Sequence, residues 1–101
     1  MIIGIPTDDG RSVSEHFGRS RYFMIVDKEH GEETKHVLVE NPHDKEENEQ
    51  SGHGKLLKML VESGANKVVC FNLNPRMQKN LESFKIEVER TGSGKRVSDF
   101  Y

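Results

Sequence analysis

The sequence predicts one three-layer α/β domain on a five-stranded mixed sheet of order 3-2-1-4-5, with strand 2 antiparallel. Three observations carry that expectation. Apolar residues gather in short β-branched runs, clearest in Ile2 to Pro6, Tyr22 to Val26, Lys35 to Glu40 and Lys67 to Phe71. Two other segments instead carry one apolar stripe at helical spacing. The link between the second and third runs is short, which makes that pair antiparallel. A chain of 101 residues is long enough to bury one core and too short for two.

The elements follow in order. Ile2 to Pro6 is a buried strand stopped by proline, and its end feeds a loop. Tyr22 to Val26 is apolar without alternation and reads as a strand covered on both faces. His30-Gly31-Glu32-Glu33 is a turn, and Lys35 to Glu40 returns as a third strand whose flanking charges suit a sheet edge. Asn41 to Gln50 has no apolar residue but proline, so a solvated, mobile loop is expected there. Leu56, Leu57, Leu60 and Val61 mark the first helix, ended by Gly64 at its C′ position. Lys67 to Phe71 is the fourth strand. Asn74 caps a second helix with Pro75 at its first position and Met77, Leu81 and Phe84 as its stripe. Ile86 to Val88 is a last short strand, Thr91 to Gly94 a hinge, and Lys95 to Tyr101 a short segment anchored by Val97 and Phe100. Right-handed crossovers then place strand 1 centrally, with strands 2 and 3 on one side and 4 and 5 on the other. Helices are expected on both faces.

Composition excludes several function classes. At 33% hydrophobic and 32% charged the chain is polar, yet its apolar residues are periodic, so it reads as folded. A formal net charge of −2 gives no basic field for nucleic acid and no polybasic patch for a membrane. The lone cysteine, Cys70, excludes an internal disulfide and fits a reducing compartment. Met1 to Ile5 is too short for a signal sequence, and no run approaches membrane-spanning length. The expectation is a cytoplasmic protein, monomeric or weakly self-associating.

Chemistry concentrates in Thr7 to Ser20, T-D-D-G-R-S-V-S-E-H-F-G-R-S, a polar loop hung on a buried strand. Ligands of open α/β sheets favour the crevice at the carboxyl ends of the strands where chain direction diverges, here strands 1 and 4. This loop and the turn Asn72 to Pro75 are expected to border it. Asp8 and Asp9 invite a nuclease reading, but strands 1 and 4 carry no acid to build a two-metal site. Asp9-Gly10 more simply makes a turn. One cysteine and scattered histidines lack the spacing of a closed zinc site.

Taken in order, I-G-I-P-T-D-D-G, V-S-E-H-F-G-R-S-x-Y-F, E-N-P-H, G-H-G and G-A-N-K-V-V resemble the dinitrogenase iron-molybdenum cofactor biosynthesis family. The resemblance covers roughly the first 90 residues and is strongest in Ile3 to Phe23. It implies a ribonuclease H-like fold of the same strand order. It also implies a non-enzymatic module that transiently carries an iron-molybdenum cofactor, its precursor or another iron-sulfur cluster, exchanged with donor and acceptor proteins. One departure stands in the turn after strand 4, where the family usually has glycine and this chain reads Phe71-Asn72-Leu73-Asn74-Pro75-Arg76.

His16 of H-F-G matches the family's histidine ligand and is the leading metal ligand; the alternative is a histidine that only orders its loop. Cys70, near the end of strand 4, offers a thiolate or is one more apolar core residue, depending on which face it takes. His53 shares the apolar side of helix 1 and either faces the crevice or packs. His43 belongs to the polar loop; His30 and His36 have no functional case. Arg11, Arg19 and Arg76 complement an anionic cluster, together with the free N–H groups of helix 2, or else are solvated or paired with Asp8, Asp9 and Glu15. The competing function is a metal-free regulatory or protein-interaction domain of the same fold. A hydrolase has no visible nucleophile and base.

Overall fold

Strand β1 (Ile2–Thr7) is apolar and buried almost throughout because it has a neighbour on each side. It pairs antiparallel with β2 (Tyr22–Glu29), from Ile2 opposite Asp27 to Thr7 opposite Tyr22, and parallel with β4 (Lys67–Cys70). Beyond β2 lies β3 (Glu32–Glu40), antiparallel, and beyond β4 lies β5 (Glu87–Arg90), parallel. The order is β3-β2-β1-β4-β5, as the sequence predicts. Helices α1 (Glu49–Glu62) and α2 (Pro75–Ser83) lead into β4 and β5, and a 3-10 helix, Val97–Phe100, is the last element among the described residues. This computed structural model describes residues 1–29, 32–42 and 49–100, with backbone alone at 29, 32–34 and 49–53.

Side chains alternate between the two faces of the sheet. Phe23, Ile25, Val68 and Cys70 point to one face, where Leu56 and Leu60 of α1 and Met77 and Leu81 of α2 close over them. Ile3, Ile5, Met24, Val26 and Val69 point to the other, where Val13, Val97 and Phe100 cover them. Both α-helices therefore share one face, which corrects the expectation of helices on both. The reason lies in the crossover rule itself. The steps β1 to β4 and β4 to β5 move the same way across the sheet, so two right-handed crossovers leave their helices on the same side. The third layer is built instead from a loop and the 3-10 helix.

Gly4, mid-strand in β1, faces α1. A Cβ there would lie 3.0 Å from Leu60 Cδ2 and 3.5 Å from Val68 Cγ1, so the missing side chain lets the helix sit down on the strand. The α1 stripe is narrower than predicted: Leu56 and Leu60 are fully buried, whereas Val61 is exposed. Phe84 is exposed too, because it is the C-cap of α2 and lies past the last helical turn; Ile86 fills the core in its place. Asn74 caps α2 through a 2.8 Å bond accepted from Arg76 N, and Gly64 ends α1 with φ +76°. Of the predicted turn His30-Gly31-Glu32-Glu33, Glu32 and Glu33 already belong to β3, paired with Glu29 and Lys28, while His30-Gly31 and the part of the solvated loop with His43 lie outside the described residues, over 30–31 and 43–48. Asn41, assigned to that loop, is instead buried, and α1 already begins at Glu49.

Candidate functional site

The loop leaving β1 is ordered by its own polar side chains. Thr7 Oγ1 donates to Ser12 O at 2.7 Å and accepts from Gly10 N at 2.9 Å. Gly10 takes φ +80°, the left-handed turn that glycine adopts without penalty. Asp9 Oδ1 accepts from the N–H groups of Arg11 and Ser12, both at 2.8 Å, and Asp8 Oδ1 accepts from Arg21 N at 2.9 Å. Both acids thus serve the loop backbone. The Ser12 and Arg11 N–H groups hold the Asp9 carboxyl below its ordinary value of 3.8.

That shift fixes the sign of a pH effect. A carboxyl depressed in the folded state stabilises above its unfolded value, about 3.9, and the contribution is lost as pH falls through the lower folded value. Asp9→Asn keeps an acceptor oxygen without the charge. Its melting temperature should fall less steeply than that of the wild type below about pH 4. Parallel acid melting curves for the two proteins would show that Asp9 does not contribute.

The second half of the loop carries His16 to the carboxyl end of β4. Ser14 N donates to Pro6 O at 2.8 Å, returning the chain to the end of β1. His16 N donates to Ser14 Oγ at 3.1 Å, and His16 forms a parallel bridge with Asn72, just past β4. The imidazole is exposed, while its neighbour Phe17 is buried and meets Phe23 edge-on, with centroids 5.1 Å apart. A core anchor thus holds the backbone from which a polar side chain projects. Asn72 is exposed beside it, and it does not use the left-handed conformation open to asparagine; among described non-glycine residues only Lys85 does, with φ 61°. The Asn72 amide side chain therefore stands beside His16 without backbone strain. Arg76, in the first turn of α2 beyond the same turn, is exposed, as is Arg19.

Three sequence-predicted residues do not join this group. Cys70 is fully buried in the helix-side core, and burial pushes its thiol up from the ordinary 9.0, the opposite of what a thiolate ligand requires. Its strand position is at the crevice, but the pleat turns its side chain inward. Arg11 lies apart: its carbonyl accepts from Val97 N at 2.8 Å, and it lines a cleft with Arg96. His53 lies in the first half of α1, where the backbone alone is described. Among the described residues no three of His, Cys, Asp and Glu gather as a metal site.

Sequence reasoning missed the polar residues that hold the loop from beneath. Asn41 Nδ2 donates to Ser20 O at 2.8 Å and Gly18 O at 3.2 Å, and Asn41 N donates to Arg21 O at 3.0 Å. Asn41, Ser20, Ser14 and Thr7 are all buried. The only available signal was Asn41 at the junction of an apolar strand and a charged loop.

No helix among the described residues is long and apolar enough to cross a membrane. The chain is 31% identical over 94 residues to an uncharacterized protein of Methanocaldococcus jannaschii, covering 92% of this chain and 76% of that protein. The crystal structure of the protein PH0822 matches with 34% identity and a TM-score of 0.80, over 99% of this chain and 86% of that one. The apo form of the orange protein from Desulfovibrio gigas shares the fold, with a TM-score of 0.82 at 19% identity over 98% of this chain and 82% of that one. The family model described as dinitrogenase iron-molybdenum cofactor matches residues 1–101, the whole of the chain, and the chain belongs to that family.

Proposed function

We propose that this protein is a non-enzymatic carrier of an iron-molybdenum cofactor, its precursor or another iron-sulfur cluster, exchanged with donor and acceptor proteins in the cytoplasm. The observation that carries this reading is His16: an exposed imidazole on a core-anchored loop, paired with Asn72 at the carboxyl end of β4. One imidazole supplies one bond to an open metal site, and attachment through few protein ligands suits cargo that must leave again. Arg19 and Arg76 and the first turn of α2 supply positive charge for an anionic cluster. Cys70 stays outside the ligand set, since its thiol is enclosed by the helix-side core.

The test is anaerobic reconstitution with an iron-sulfur donor or molybdenum cofactor source, followed by desalting and metal analysis per chain. His16→Ala should lower retained metal by about tenfold or more, the scale on which loss of metal-site partners acts. It should leave the melting temperature almost unchanged, because the side chain is exposed. Cys70→Ser should show the reverse, wild-type metal retention with reduced stability from a hydroxyl placed in an apolar core. Equal retention in wild type and His16→Ala removes the ligand assignment. No metal in wild type with any donor overturns the carrier reading in favour of a metal-free regulatory or interaction domain.

A further inference from the structure

A second polar site lies away from His16, where the first half of the β1 loop meets the C-terminal segment. Val13 N donates to Lys95 O at 2.9 Å, Val97 N donates to Arg11 O at 2.8 Å, and Ser12 bridges Arg96 in antiparallel fashion. These backbone bonds hold the two stretches side by side, and the buried side chains of Val13 and Val97 seat both on the sheet. Beside them is a cleft of about 450 Å³ lined by Asp9, Gly10, Arg11, Ser12, Arg96 and Ser98. That volume is in the range of small-ligand sites.

The lining has hydrogen-bonding capacity that the described residues do not use. Neither guanidinium and neither serine hydroxyl has a hydrogen-bond or ion-pair partner among the described residues. Asp9 is committed to the backbone through its bonds from Arg11 N and Ser12 N. Two guanidiniums against one carboxylate leave the cleft net positive. Guanidiniums only donate, in a fixed planar fork, so a ligand must bring several acceptors. A carboxylate brings two oxygens in one plane and satisfies one fork. A tetrahedral oxyanion presents oxygens in several directions and can engage both forks and the hydroxyls together.

We propose that this cleft binds a tetrahedral oxyanion of the phosphate type, free or as the phosphoryl group of a small ester, with Arg11 and Arg96 as its principal contacts. Ser12 and Ser98 serve the remaining oxygens. The lining is largely exposed, so binding is salt-sensitive and weak. The site is independent of the cluster-carrying role of His16.

The experiment is a titration of the labelled protein at low ionic strength, following backbone amide resonances, with inorganic phosphate, ribose 5-phosphate and acetate in separate runs. Saturable shifts at Gly10, Arg11, Ser12 and Ser98 are expected with the first two anions, and tighter binding of one separates the free ion from the ester. Arg11→Gln and Arg96→Gln should each weaken binding about tenfold, the scale of one lost charge-assisted contact. Lys79→Gln, which removes the same charge from exposed α2, should leave affinity unchanged. The proposal is overturned by unsaturable shifts with both phosphates, by unchanged affinity in Arg11→Gln and Arg96→Gln, by an equal loss in Lys79→Gln, or by acetate binding as tightly as phosphate.

Discussion

Gly4→Val should destabilise the protein by about 2 kcal/mol, a drop of on the order of 10 °C in melting temperature for a chain of this size. Even a Cβ at Gly4 would stand 3.0 Å from Leu60 Cδ2, and the two γ-carbons of valine would reach farther into a side chain that is fully buried. Valine is the better strand residue and has less unfolded-state entropy to lose, which offsets part of the overpacking. Crowding wins because Leu60 has no solvent into which to retreat. Gly4→Ala should show a smaller loss. The diagnostic is a double-mutant cycle by denaturant unfolding: with Leu60→Ala in place, Gly4→Val should be markedly less harmful or favourable. Equal effects in both backgrounds would mean that the close seat of α1 on β1 is not what the glycine provides.

Asn41→Ala should cost about 2 kcal/mol, because it strips the donor from the Ser20 and Gly18 carbonyls and leaves a cavity beneath the loop. Asn41→Asp should be worse at neutral pH despite its near-identical shape. It turns a carboxylate toward carbonyl oxygens and buries its charge at the same time. Hydrogen exchange gives the second readout. Amides from Phe17 to Arg21 should lose protection ahead of those of Val68 and Val69 in the central sheet. A uniform change across the molecule would show that Asn41 supports the fold at large and does not position this loop.

What the sequence made legible was local. The Asn74-Pro75 start of α2, the Gly64 end of α1, the Asp9-Gly10 turn and the strand order each rest on neighbours within a few residues or on chain connectivity. The polar segment after β1 carries His16 beside Asn72, just past the end of β4. The residues misread are those whose surroundings come from distant chain. Cys70 sits at the right end of β4, but which way it faces follows from the pleat and from where the helices pack. Arg11 shares a loop with His16, yet pairing with the C-terminal segment draws it to another cleft. Asn41 reads as solvated until the Gly18 and Ser20 carbonyls are brought over it. The helix distribution was implicit in the strand order and needed only the observation that both crossovers step in one direction.

Phe17 has a consequence for timing. Its ring is held against Phe23 while the residue before it faces solvent, so the loop is fastened at its own midpoint. The ordering entropy of the His16 backbone is therefore incurred once, when the chain folds, and not at each encounter with a ligand. Association at that position needs no induced closure and runs at the pace of collision and orientation. Departure has no hinge to wait for either, since moving His16 away would draw an aromatic ring out of the core. Under the proposed carrier role, residence time at this position would be set by the strength of a bond to the imidazole and by whichever competing ligand an acceptor presents.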